Sequence, residues 1–386
     1  MKFSRMMVGF SLIVLSKFCM SQVSQSSIKP QEVDKQYSLP TTTLNLADGK
    51  PLLGLPSAAV MGSPMVCSPD GNTFIEVYAD TKNPVNLFPN IYKISTSGEV
   101  KRLDRPVPTD YQRLFLRSSF AGEHMIVSLI DASGKKTSSS DPLKSETDFI
   151  SIIDLDGGSA KLIELDLKFQ PLRVAILPSG KFVVLGLDTV NIVPVLALLN
   201  EDATLLKSID LDNRKYDSSR ELRDTYNVKG NDNDTVKRKQ NLLGALISAS
   251  FTPYGSKVLL VQAGTNLPIH ILGESGDEGM VSISLPSNYL IQNILGSEKT
   301  NTWIVRAQKI DSFQKMANEH VVMNPEQQLF EVDSGTQKAI RILETPGVPA
   351  MMVTCAADKK LTAVYNNPPP GASADVDRFV LAMAPR

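Results

Sequence analysis

Residues 66–78 read V-C-S-P-D-G-N-T-F-I-E-V-Y, a short apolar run, the turn Ser68-Pro69-Asp70-Gly71, and a second apolar run. Proline at the second turn position holds φ near about −65° and glycine after it accepts φ > 0, so the chain reverses here. The run that follows is rich in β-branched and aromatic residues, as a packed strand requires. Variants of the unit recur down the chain. They span 114–130 (turn Phe120-Ala121-Gly122-Glu123), 173–187 (Leu177-Pro178-Ser179-Gly180), 246–262 (Thr252-Pro253-Tyr254-Gly255), 290–307 (a longer turn at 296–301) and 351–366 (Ala356-Ala357-Asp358-Lys359).

A second hairpin follows most of these units. Residues 91–95 turn at Ser97-Gly98 into 100–103, and 149–154 turn at Asp156-Gly157-Gly158 into 161–165. Residues 193–199 turn at Glu201-Asp202 into 205–211, and 329–332 turn at Asp333-Ser334-Gly335 into 339–343. The version at 269–272 and 280–285 is less distinct. Two hairpins per repeat make a four-stranded antiparallel meander, and a repeat of roughly 40–60 residues built this way is the mark of a β-propeller blade. One such sheet cannot bury both faces, but several packed radially can, with only short edges left exposed.

The sequence therefore predicts an all-β chain, a β-propeller of six blades, with seven as the alternative count. Closure is expected at the ends. The last unit has an inner hairpin and one more strand near 378–382, while 42–46, the turn Ala47-Asp48-Gly49 and 52–55 look like the outer part of a blade. The N- and C-terminal strands should share a blade, although together they offer one strand more than four. A single propeller domain over 41–386 follows, interrupted by a charged insertion at 213–240 that carries few apolar residues. A short helix near 219–226 is expected from the capping-box spacing of Ser218-Ser219-Arg220-Glu221. The remainder, through Lys237-Arg238-Lys239, reads as loop.

At the S-P-D-G step the chain resembles the TolB-like branch of the WD40-like propellers. Ser68-Pro69-Asp70-Gly71 is the full match; Pro178 with Gly180 and Pro253 with Gly255 keep part of it, and Asp358 less. The resemblance implies the architecture and a group of exported scaffolds, binding proteins and peptidase domains. It carries over no functional residue. Lactonase-type propellers would place acidic and Asn ligands around a channel metal, a set not identifiable here.

The first 21 residues differ from the rest. Lys2 and Arg5 precede an apolar run at 6–15 and the small-residue pattern Cys19-Met20-Ser21. That is the form of a secretory signal peptide at 1–21, its apolar run about half of what a spanning helix needs. Residues 22–40 are polar and read as a flexible linker. No other stretch is long and apolar enough to span a membrane. Export would place the chain in the periplasm or outside the cell. Lys+Arg number 40 against 41 Asp+Glu, so nothing favours nucleic acid, which wants a basic face.

Chemistry-bearing residues are sparse. His124, His270 and His320 belong to different repeats and predict no triad or His-rich metal site. Asn231-Asp232-Asn233-Asp234 lacks the glycine and distant glutamate of a calcium loop. Tyr111, Arg113, Arg117 and Arg306 alternate on inner-hairpin strands and are candidates for lining the central channel. Cys67 and Cys355 hold equivalent positions in the first and last repeats. They are candidates for a disulfide that staples the ring; the competing reading is two buried thiols, because equivalent atoms of adjacent blades usually lie beyond the ~4.4–6.8 Å Cα range of a disulfide.

No catalytic, cofactor-binding or metal residues are assigned. The leading expectation is an exported, non-enzymatic, monomeric propeller that binds a protein, peptide or glycan at one face of the ring. The alternative is a hydrolase or lactonase-type enzyme with carboxylates or a metal, calcium included, in the channel.

Overall fold

In most repeats the second strand is apolar almost throughout and the last is mostly exposed. In residues 170–210 the pattern is plain: Phe182–Asp188 is buried at every position but the last, whereas Leu205–Asp210 is almost wholly exposed. A strand buried on both faces reads as a continuous apolar run, and an edge strand must stay polar and solvated. That gradient is what a radially packed sheet needs. A computed structural model of the 386-residue chain shows its outcome, and describes residues 41–54, 65–78, 88–136, 146–211, 235–261, 268–297, 301–309, 326–343, 350–357, 360–366 and 377–385. The expected signal peptide and linker at 1–40, the helix near 219–226 and the Asn231–Asp234 stretch lie outside these residues.

The strands form six antiparallel sheets. Blade 1 holds β3 (Met65–Cys67), β4 (Thr73–Val77), β5 (Asn90–Ile94) and β6 (Val100–Leu103). Blade 2 holds β7 (Tyr111–Ala121), β8 (Met125–Lys135), β9 (Glu146–Asp154) and β10 (Ala160–Leu165). Blade 3 holds β11 (Gln170–Ile176), β12 (Phe182–Asp188), β13 (Val193–Leu199) and β14 (Leu205–Asp210). Blade 4 holds β15 (Ser250–Tyr254), β16 (Lys257–Val261), β17 (Ile269–Gly273) and β18 (Gly276–Val281). Blade 5 holds β19 (Tyr289–Ser297), β20 (Thr302–Lys309), β21 (Gln327–Asp333) and β22 (Ala339–Leu343). Blade 6 holds β23 (Cys355–Ala357), β24 (Lys360–Asn366), β25 (Asp377–Pro385) and, from the other end of the chain, β1 (Thr41–Thr43) and β2 (Leu53–Gly54). The first strands touch one another in a closed cycle: β3 meets β7, β7 meets β11, and so on through β15, β19 and β23 back to β3. This is a six-bladed β-propeller with those strands around the axis.

The surplus strand at the closure has a simple resolution. Thr41, Thr42 and Thr43 pair with Ala382, Leu381 and Val380, and Leu53 and Gly54 pair with Arg378 and Asp377. Both pieces therefore lie end to end along one edge of β25. The chain between them leaves and returns: Leu44 N donates to Phe379 O (3.1 Å), and Leu52 N donates to Leu44 O (2.7 Å).

The Ser-Pro-Asp-Gly turn is a general device here. Ser68 N bonds Asn72 O and Gly71 N bonds Ser68 O, with Gly71 at φ 86°. The same bond pair closes 177–181, 95–99 and 46–50, with Gly180, Gly98 and Gly49 at positive φ. The fourth repeat departs from the expectation. Pro253 lies inside β15, opposite Val258, and Tyr254 pairs with Lys257, so the turn falls two residues later. An axis-lining strand leaves one row of N–H groups out of the ladder, which lets a proline enter it.

One helix was not expected. α1 (Thr235–Ser248) covers the end of the predicted charged loop and the predicted start of the fourth repeat's first strand. Its apolar residues recur with helical spacing, and Leu242, Leu243, Ala245 and Leu246 are buried. Among the described residues no helix is long and apolar enough to cross a membrane.

Packing between blades supplies the core. Leu259, Val261 and Ile269 of blade 4 meet Ile291, Trp303 and Phe330 of blade 5. Trp303 is 2% exposed and stands edge-on to Tyr254 at 5.9 Å between ring centroids. Across the closure, Leu44, Leu52 and Phe379 pack with Ile75, Val77 and Val100.

Candidate functional site: the central channel

The innermost strands enclose a cavity of about 470 Å³ on the axis, bordered by residues of all six blades. Its polar lining follows from a backbone irregularity repeated in three blades. The ladder slips between Leu116 and Ser118 in β7, between Pro171 and Arg173 in β11, and between Ile291 and Asn293 in β19. Each is a β-bulge, with one residue (Arg117, Leu172 or Gln292) left without a partner across the ladder. A bulge breaks the in–out alternation and re-aims side chains. Leu116, Arg117, Ser118 and Ser119 thus all border the cavity in sequence, and so do Gln292 and Asn293.

The guanidinium groups are held differently. Arg117 Nη2 donates to Asp131 Oδ2 at 2.6 Å and its Nε lies 3.5 Å from Asp148 Oδ1, so two carboxylates behind the wall balance it. With its amide oxygen turned toward Arg117, Gln170 also accepts from Nη1 at 2.9 Å. Arg173 Nη1 donates to the Ile247 carbonyl in the last turn of α1 at 3.3 Å, a favourable place for a cation at a helix C-terminus. Burial pulls the Arg173 pKa down to about 10. Arg306 Nη1 donates to Val353 O at 3.3 Å, and burial lowers its pKa as well.

Glu76 is the carboxylate among the described lining residues. It forms an ion pair with Arg105, whose side chain is buried and sits 5.4 Å over the Phe88 ring, and it accepts from Ser119 Oγ at 2.6 Å. Burial, and then the Glu76 charge, push the neighbouring Tyr78 phenol above its ordinary pKa. On the other side Ser250 and Thr252 bond each other at 2.9 Å, Ser250 bonds Asn293, and Thr252 Oγ1 donates to Ile294 O at 2.6 Å, linking blades 4 and 5. Among the described residues no three His, Cys, Asp or Glu side chains gather into a metal-holding group.

Arg117 and Arg306 border the cavity; Tyr111 and Arg113 do not. Tyr111 packs against Phe149 inside blade 2 and its hydroxyl donates to Thr147 Oγ1 at 2.9 Å, while Arg113 is exposed. The reason is position along the strand: of the eleven residues of β7, only 116–121 border the cavity. Arg173, which sequence reasoning passed over, is enclosed at the wall.

The cysteines also face the axis. Cys67 and Cys355 form a disulfide with a Cα separation of 5.8 Å, between the innermost strands β3 and β23. Equivalent atoms of adjacent blades separate toward the rim and converge toward the axis, so the expected distance problem does not arise at this radius. His320 lies outside the described residues, and His124 and His270 belong to different blades. His124 is exposed with Nδ1 2.5 Å from Asp156 Oδ2, and His270 is buried in β17.

Known protein families and curated proteins offer no match to this chain. Solved structures do. A DUF4623 family protein from Bacteroides eggerthii is 11% identical, with 87% of this chain and 75% of that one covered and a TM-score of 0.40. The Dos1 propeller is also 11% identical, over 61% of this chain and 47% of that one, with a TM-score of 0.32. An ACO/RPE65 chimera is 13% identical over 81% of this chain and 63% of that one, with a TM-score of 0.36. Likeness at this level adds nothing to the strand pairing, on which the six-bladed assignment rests.

Proposed function

We propose that this chain is an exported, non-enzymatic propeller that works as a monomer and binds a protein, peptide or glycan at one mouth of its channel. The observation that carries the reading is the lining: three bulged inner strands turn guanidinium, hydroxyl and amide groups of adjacent residues into one cavity. Such groups read out a ligand by hydrogen bonding, and a volume of about 470 Å³ is that of an ordinary ligand site. Glu76, the carboxylate among the described lining residues, is engaged by Arg105 and Ser119. The Cys67–Cys355 disulfide is consistent with an oxidising compartment, periplasmic or extracellular. Kinship with the TolB-like propellers rests on the Ser68-Pro69-Asp70-Gly71 turn.

The test is a peptide and glycan array probed with purified protein and with Gln292→Trp, which fills the cavity from its wall. Saturable binding lost in the variant is the expected result. Binding that survives Gln292→Trp removes the channel from the reading. Turnover of a lactone or ester with added calcium or zinc removes the non-enzymatic part.

A further inference from the structure

We propose that the channel receives an oxyanion, a carboxylate, sulfate or phosphate group of its ligand, through the Arg173 guanidinium and the Ser118 hydroxyl on adjacent inner strands. The inference rests on the reading that the channel is a binding site, and adds the chemistry of what binds. Ser118 Oγ is buried at 8% exposure and makes no hydrogen bond among the described residues. Arg173 Nε is likewise buried and makes none, leaving Nη1 to the Ile247 carbonyl. Buried polar groups are almost always hydrogen-bonded, and two idle donors on one cavity wall are an unmet demand for acceptors.

Charge points the same way. A guanidinium stays cationic at neutral pH even when burial weakens it, and a desolvated charge calls for a counter-charge. Arg117 already has Asp131 and Asp148. The carboxylate among the described lining residues, Glu76, is taken by Arg105. For Arg173 the structure supplies the dipole end of α1 and no ion pair among the described residues. With Arg117 and Arg173, Arg306 from blade 5 makes three guanidinium groups bordering the same cavity. An oxyanion offers the several lone pairs that a planar guanidinium fork and a hydroxyl match. The rest of the lining is mixed: Leu116, Phe120 and Phe251 offer apolar surface to the body of an organic anion.

The full chain is titrated calorimetrically with sulfate, inorganic phosphate and citrate at constant ionic strength, with chloride as the reference. Saturable binding of at least one, in the millimolar range or tighter, is expected. Arg173→Met should weaken it about tenfold or more, and Arg173→Lys, which keeps the charge but not the fork, should weaken it less than Arg173→Met. Ser118→Ala, a small change on a buried strand, gives a second reading that does not touch charge and should weaken binding severalfold. The inference is overturned if none of the three anions saturates, or if Arg173→Met and Ser118→Ala both bind as wild type does. It fails separately from the broader reading: a search for peptide or glycan partners that finds nothing leaves the titration untouched, and a titration without saturation overturns the inference whatever partner is found.

Discussion

Reduction of the Cys67–Cys355 disulfide should cost this fold more than removal of any one core side chain. The bond joins residues 288 apart in sequence, so it removes the closure entropy of a very long loop from the unfolded propeller. In the chain-entropy treatment a loop of that length contributes about 5–6 kcal/mol at 25 °C. Unfolding entropy near about 2.1 cal/mol/K per residue over the propeller translates this into a fall in Tm of about 8 °C. The ring should nevertheless stay closed in the reduced protein, because β1 and β2 still zip onto β25. The assay is equilibrium urea unfolding followed by the emission of Trp303, comparing oxidised protein, reduced protein and the Cys67→Ala/Cys355→Ala double variant. Alkylation without reductant should leave Cys67 and Cys355 of the oxidised form unlabelled. The double variant should fall below the reduced protein by a further increment, since Cys355 is buried against Met65. A loss on reduction below about 1 kcal/mol would refute the entropic argument and mean that the unfolded chain keeps blades 1 and 6 together.

Other expectations can be checked on the same footing. Trp303→Ala should cost about 3–5 kcal/mol by opening a cavity between blades 4 and 5, read by far-UV circular dichroism in denaturant because the variant has no tryptophan left to emit. Gly186→Ala should destabilise by about 1–3 kcal/mol in denaturant titration, because an added Cβ would collide with the Gln170 carbonyl and the Phe169 ring. Asp188 accepts from Asn191 N (3.1 Å) and Val190 N (2.8 Å), and these bonds, the Asn191 backbone bond first, hold its pKa below the ordinary 3.8. A depressed folded pKa contributes stability that is present above 3.8 and is lost as pH falls through the folded value. Asp188→Ala should therefore be less stable than wild type at neutral pH, with the gap closing in acid; a gap independent of pH would contradict this.

Much of the architecture was legible because the turns are chemical. Gly71 and Gly180 sit at φ 86° and 84°, and a glycine after a proline two places back announces that geometry in plain sequence. The apolar second strands were equally clear. What the sequence hid had tertiary causes. The turn of the fourth repeat slid because Pro253 is tolerated on an axis-lining strand. Helix α1 was hidden because the sequence Lys237-Arg238-Lys239 reads as solvated loop when the apolar face further along, at Leu242, Leu243, Ala245 and Leu246, is not known to be buried. The channel lining was only half readable, since a bulge at Arg117, Leu172 or Gln292 has no local signature and switches which residues face inward. Arg173 looked like one more strand arginine until α1 folded over it.

The sequence distance between the partners of blade 6 has a consequence for how the molecule is made. β25 is the last strand of the ring, and β1 and β2, which complete its edge, precede every other strand of the ring in the chain. Through nearly the whole of synthesis the chain can hold finished blades but no finished ring, with the edge of β1 waiting for a strand some 340 residues away in the order of contact order's slowest pairings. A molecule that cannot close until its final strand arrives is held open while it is being made. A messenger cut short before residue 377 would yield a stack of blades with bare edges, a substrate for proteases and chaperones.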